Sequence, residues 1–66
     1  MKIIINGHEK DFEENISLKY LINSLEVEDK VMAAAVNMNI IKKDNWDSYT
    51  LSDNDKVELL EFVGGG

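Results

Sequence analysis

The stretch Ser17-Leu18-Lys19-Tyr20-Leu21-Ile22-Asn23-Ser24-Leu25 is where the apolar pattern of this chain changes period. Leu18, Leu21, Ile22 and Leu25 stand at i, i+3, i+4 and i+7, which is one stripe of an amphipathic helix. Ser17 stands in front of them as an N-cap, its hydroxyl able to accept from an early helical N–H. Lys19, Asn23 and Ser24 fall off the stripe and are expected to face water. A helix of about nine residues is marginal alone, so the stripe has to pack on another element. The sequence on either side provides a sheet.

Upstream, residues 2–5 are apolar and β-branched, and residues 9–13 form a second, more polar run that includes Phe12. Asn6-Gly7 between them is a hairpin signal, because both residues tolerate the positive φ of a type I′ turn. The charges of the second run suit an edge strand, where they discourage pairing with other chains. Downstream, residues 26–30 read as a polar connector and residues 31–37 as a strand. Strand alternation places Met32, Ala34 and Val36 on one face and Ala33 and Ala35 on the other. Residues 39–42 read as a short strand, and residues 43–49, centred on Trp46, as an irregular or single-turn segment. Ser52-Asp53-Asn54-Asp55 is a turn cluster whose side chains can bond their own backbone. Residues 57–62 form the last strand.

The order strand, strand, helix, strand, short strand, strand predicts an α+β domain, a small mixed sheet with one helix packed across one face. Ile3, Ile5, Val36, Val57 and Leu59 are the expected sheet contribution to the core. The opposite parity leaves Ile4, Leu60 and Phe62 on the uncovered face, where large apolar neighbours suggest a surface that binds another protein.

Sixty-six residues make one domain. Its margin is small, since a core below about 70–80 residues rarely contributes more than about 3–5 kcal/mol. The chain has no cysteine, so a disulfide framework and a thiolate metal site are both excluded. No apolar run approaches the length of a membrane span, and Asn6-Gly7 interrupts the N-terminal run too early for a signal peptide. The expected location is the cytoplasm. A net charge of −6 with one adjacent basic pair, Lys42-Lys43, argues against nucleic acid and for steering towards a basic protein partner.

An internal active site is not legible. His8 is the single histidine and lacks a neighbouring nucleophile or orienting group. Glu13-Glu14 and Glu26, Glu28 and Asp29 read as solvated charge. Asp53-Asn54-Asp55 opens like a calcium loop, but Glu58 occupies the sixth place, where glycine is required, and Gly64 the twelfth, where glutamate is required. No glycine-rich loop precedes the helix to cradle phosphate. The chain is therefore not expected to be an enzyme or to bind a metal or cofactor.

What remains is the end of the sequence, Phe62-Val63-Gly64-Gly65-Gly66. Residues 1–63 read as the folded domain and residues 64–66 as a flexible glycine tail, slim enough to enter a slot in another protein. A terminal carboxylate becomes reactive once it is an acyl-adenylate, and sulfur can then replace AMP to give a thiocarboxylate. A Cβ beside the reacting carbonyl would crowd such a slot, which gives glycine at the last two positions a chemical reason.

The Ile-rich first strand with Asn6-Gly7, the Leu18, Leu21-Ile22 and Leu25 helix, Ala35-Val36-Asn37, Trp46 and the closing Asp55-Lys56-Val57-Glu58 through Gly66 together resemble the ThiS family of sulfur carriers. The resemblance covers essentially the whole chain. It implies a ubiquitin-like β-grasp fold and a role as carrier in the thiazole branch of thiamine biosynthesis. It further implies that Gly66 is adenylated with ATP by an E1-like adenylyltransferase of the ThiF type and converted to a thiocarboxylate by a sulfur donor protein. Delivery of that sulfur to a thiazole synthase of the ThiG type is also implied. Phe62, Val63, Gly64 and Gly65 match the segment that enters partner clefts. A terminal Gly-Gly is shared with MoaD-like carriers of molybdopterin synthesis and with ubiquitin-like modifiers, which stand as the alternatives. Asn54 occupies a turn where the family commonly has glycine, a mild departure because Asn tolerates the left-handed region.

Overall fold

A computed structural model of the chain describes residues 1–61. Five strands form one mixed sheet in the order β2-β1-β5-β3-β4, with β1 Lys2–Ile5, β2 His8–Asp11, β3 Val31–Val36, β4 Asn39–Ile41 and β5 Lys56–Glu61. The central pair β1 and β5 is parallel and the other pairings are antiparallel. Helix α1, Leu18–Ser24, lies between β2 and β3 in sequence and buries Leu18, Leu21 and Ile22. A helix laid over a mixed sheet in this order is the β-grasp arrangement that the resemblance implies. Among the described residues no helix is long and apolar enough to cross a membrane.

The helix starts where the sequence places it. Ser17 Oγ accepts from the Tyr20 backbone N–H at 3.0 Å, and Lys19, Asn23 and Ser24 are exposed. It ends after seven residues because Glu26, one past the cap, turns left-handed at φ 59°. Ile3, Ile5, Val36, Val57 and Leu59 meet the helix stripe in the core, joined by Trp46, Leu51 and Ile16. Trp46 fills the end of that core, and its indole N–H donates to the Ile41 carbonyl at 2.9 Å.

The β1–β2 hairpin turns through Asn6 and Gly7 at φ 47° and 86°, as its sequence requires. The second strand ends at Asp11 rather than residue 13, which leaves Phe12 beyond it, half-buried against the core. All four residues of β2 are exposed at the sheet edge.

One face assignment needs correction. Met32 does not share the core face with Ala34 and Val36; it is 65% exposed, while Val31 is buried. Between Val31↔Glu61 and Ala33↔Leu60 the ladder advances two residues on β3 for one on β5. That bulge shifts parity by one, so simple alternation fails at its N-terminal end. Strand β3 also stops at Val36, because Asn37 and Met38 form a tight turn at φ 50° and 72°. A methionine there is strained, since its Cβ crowds the following carbonyl. Its side chain is 93% exposed and gains little packing in return. We expect Met38→Gly to raise unfolding stability by about 0.5–1 kcal/mol, read as a higher urea midpoint with an unchanged slope.

That turn is tied to the start of β5 through Asp55, which is 9% exposed. Its carboxylate accepts from Asn37 Nδ2 at 2.9 Å and from the Ser52 backbone N–H at 2.7 Å. Asn37 Oδ1 in turn accepts from the Lys56 N–H at 3.0 Å. Asn54 sits at φ 69° within the same turn, where the sequence anticipates a left-handed residue. Asp55→Ala strips two donors of their acceptor, at a cost of about 1–3 kcal/mol. A comparable fall in stability is expected by urea titration.

Candidate functional site

The face of the sheet away from α1 carries Lys2 and Ile4 from β1, Lys56, Glu58 and Leu60 from β5, Ala33 and Ala35 from β3, and Ile40 from β4. This placement follows from the registers Ile4↔Lys56, Ala35↔Glu58, Ala33↔Leu60 and Ala35↔Ile40. No helix covers it. Leu60 is 62% exposed and Ile4 half-buried, so both residues named from sequence parity face away from the helix-side core. Phe62, Val63, Gly64, Gly65 and Gly66, the rest of the sequence-based site, lie outside the described residues, as does the last residue of the expected 57–62 strand.

Sequence reading missed Ile40, which is 71% exposed on this same face. Its parity was uncertain from sequence because the Asn37-Met38 turn, lacking glycine, gave no hairpin signal from which to count. With the register known, the relief of the face is clear. Ala33 and Ala35 form a low floor along β3, bounded by Leu60 and Glu58 on β5 and by Ile40 on β4. The result is an open groove of about 280 Å³ that also reaches Asn6. That volume is just below the range of small-molecule pockets, about 300–1,000 Å³, and the groove is not enclosed. It suits a side chain of another protein better than a cofactor.

Asn6 joins this site to the exit of β5. Its backbone N–H donates to the Val57 carbonyl at 2.9 Å. After the hairpin turns away, its side-chain amide takes over the ladder: Oδ1 accepts from the Leu59 N–H at 2.8 Å and Nδ2 donates to the Leu59 carbonyl at 3.4 Å. The amide thus aligns β5 beyond the last backbone pair with β1, at the point where the strand heads for the end of the chain.

His8 is exposed on the edge strand, as its turn position suggests. Among the described residues no group of three or more His, Cys, Asp or Glu could hold a metal ion. The ion pair found there, Lys2 Nζ to Glu9 at 3.5 Å, is solvent-exposed and contributes little stability.

Comparison with known proteins bears on what this surface serves. The sequence model of the ThiS family matches residues 3–66. A thiazole synthase of Paramagnetospirillum magneticum (strain ATCC 700264 / AMB-1) is 33% identical over all 66 residues, although the chain spans only 20% of that protein's length. The sulfur carrier protein ThiS of Bacillus subtilis (strain 168) is 30% identical, with 94% of this chain and 96% of the relative aligned. The crystal structure of the thiamine biosynthesis protein ThiS from Geobacter metallireducens superimposes with a TM-score of 0.83 at 28% identity, covering both chains completely.

Proposed function

The chain belongs to the ThiS family, and on that premise we propose that it is a sulfur carrier of thiamine biosynthesis whose working group is the carboxylate of Gly66. In this reading the chain is a protein cosubstrate and partner enzymes perform the chemistry. The observation that carries it is the family match running through the last glycine, joined to a sheet whose central strand β5 leads to that end.

The steps follow from the chemistry of the group. An E1-like adenylyltransferase of the ThiF type lets the Gly66 carboxylate attack the α-phosphorus of ATP, and pyrophosphate leaves. Sulfide sulfur then attacks the acyl carbon and displaces AMP, leaving a thiocarboxylate. If the donor protein offers a persulfide, the first product is an acyl disulfide, which a thiol must reduce. The thiocarboxylate sulfur is a soft nucleophile, ionised at neutral pH, and passes to a thiazole synthase of the ThiG type. ATP is consumed by the activating enzyme and is not held by this chain. Phe62, Val63, Gly64 and Gly65 form the stretch that enters the partners, while Ile4 and Leu60 belong to the sheet face that rests on them. An acidic chain approaching a basic surface associates faster at low salt.

ATP–pyrophosphate exchange tests the first step. With the E1-like adenylyltransferase from the same organism, exchange is expected only when the chain is present. Exchange that is independent of the chain, or absent while the enzyme activates another carrier, contradicts the proposal.

A further inference from the structure

We propose that the groove floored by Ala33 and Ala35 receives an arginine side chain of the adenylating enzyme, with its guanidinium on Glu58. This deepens the function proposed above and rests on it.

The groove exists because of a mismatch in side-chain size across registered pairs. On β3, Ala33 faces Leu60 and Ala35 faces both Glu58 and Ile40. Short side chains between tall ones leave a trough along β3, apolar on its floor and on most of its walls. Among the described residues Glu58 is the one ionisable side chain lining it. The single ion pair among the described residues is Lys2–Glu9, so Glu58 has no cationic partner there. A ligand for this trough needs an aliphatic stem and a cationic end.

Arginine meets both requirements. Its methylene stem covers apolar surface while its head stays polar, and its planar fork matches a carboxylate with two parallel hydrogen bonds. Charge complementarity points the same way, since a chain of net charge −6 is steered towards a basic surface. Position selects the partner: Glu58 and Leu60 lie on β5, the strand that leads to the carboxylate to be activated. In this proposal the enzyme that holds that end rests against this face.

The test measures the KM for the chain in ATP–pyrophosphate exchange. Glu58→Lys is expected to raise KM about tenfold or more, with kcat unchanged, because the contact serves docking rather than the reacting atoms. Glu58→Gln should raise it less and flatten its dependence on salt. Ala35→Leu, which fills the trough from the side opposite the core, should raise KM without changing net charge. Glu28→Lys, with the same charge change outside the groove, should leave KM within about twofold. One arginine-to-glutamate change on the enzyme's surface should restore Glu58→Lys. All variants keep the wild-type circular dichroism spectrum, since Glu58 and Ala35 lie on the open face. An unshifted KM for Glu58→Lys, an equal shift for Glu28→Lys, or self-association of the chain that the Glu58 variants abolish would each overturn the inference while leaving the carrier function standing. No exchange with the wild-type chain overturns both.

Discussion

Removal of Gly66 is expected to cut activation by the adenylating enzyme about 100-fold or more while leaving the urea midpoint of the domain where it was. The second half of that expectation follows from the core, whose buried apolar residues among those described run from Ile3 to Leu59, and from the lack of any side chain on Gly66 to add to it. The first half follows from reach. Each extended residue spans about 3.3–3.6 Å, and a misplacement of about 1 Å at a reacting centre already costs about 100-fold. A carboxylate on Gly65 would stop a full residue short of the α-phosphorus. Replacing Gly65 by leucine should act in the same direction by crowding the slot. A fall in the urea midpoint would mean that the end of the chain is part of the fold. Activation within a few-fold of wild type would mean that Gly66 is not the reacting residue.

Leu21→Ala is expected to have the largest effect on stability. Leu21 is fully buried, at the centre of the helix stripe that faces Ile3, Val36 and Val57. Truncating a buried leucine costs about 2–5 kcal/mol, because transfer free energy and a residual cavity add. A single core of this size contributes about 3–5 kcal/mol in total. The two ranges overlap, so the variant should be largely or wholly unfolded without denaturant, visible as loss of the cooperative urea transition. A variant that kept most of the wild-type midpoint would show that helix and sheet are held together elsewhere, for instance by Trp46 and Leu51.

Much of this architecture is legible in the residues because local and tertiary signals agree. Ser17 and the Leu18, Leu21, Ile22 stripe specify the helix and the face it buries. Asn6-Gly7 specifies the first turn, and the charges of residues 9–13 suit an edge strand. Legibility ends where a residue contradicts its position. Met38 occupies a left-handed site that glycine or asparagine would have announced, so the second hairpin is silent in the sequence. The bulge at Met32 is equally silent, since it depends on which residue of β5 lies opposite. The silent second hairpin hid the groove, because it sets the parity of Ile40; Ala33 and Ala35 lie on the face that alternation assigns them. Ala33, Ala35, Ile40, Glu58 and Leu60 are scattered along the chain, and only the pairing of β3 with β4 and β5 brings them together. The open-face residues Ile4 and Leu60 were within reach because their parity is undisturbed. The terminal glycines stand out for the opposite reason: three residues in a row offer no side chain to any core.

In the proposed function the carboxylate of Gly66 becomes a thiocarboxylate. Intact-protein mass spectrometry tests it after incubating the chain with ATP, the E1-like adenylyltransferase and a sulfur donor. The expected result is the mass gain of one oxygen exchanged for one sulfur, localised to the C-terminal peptide and absent when ATP is omitted or Gly66 deleted. An unchanged mass, under conditions where the same enzymes load another carrier, would contradict it. So would covalent adducts of the chain on target lysines with no thiocarboxylate formed, the outcome expected of a protein modifier.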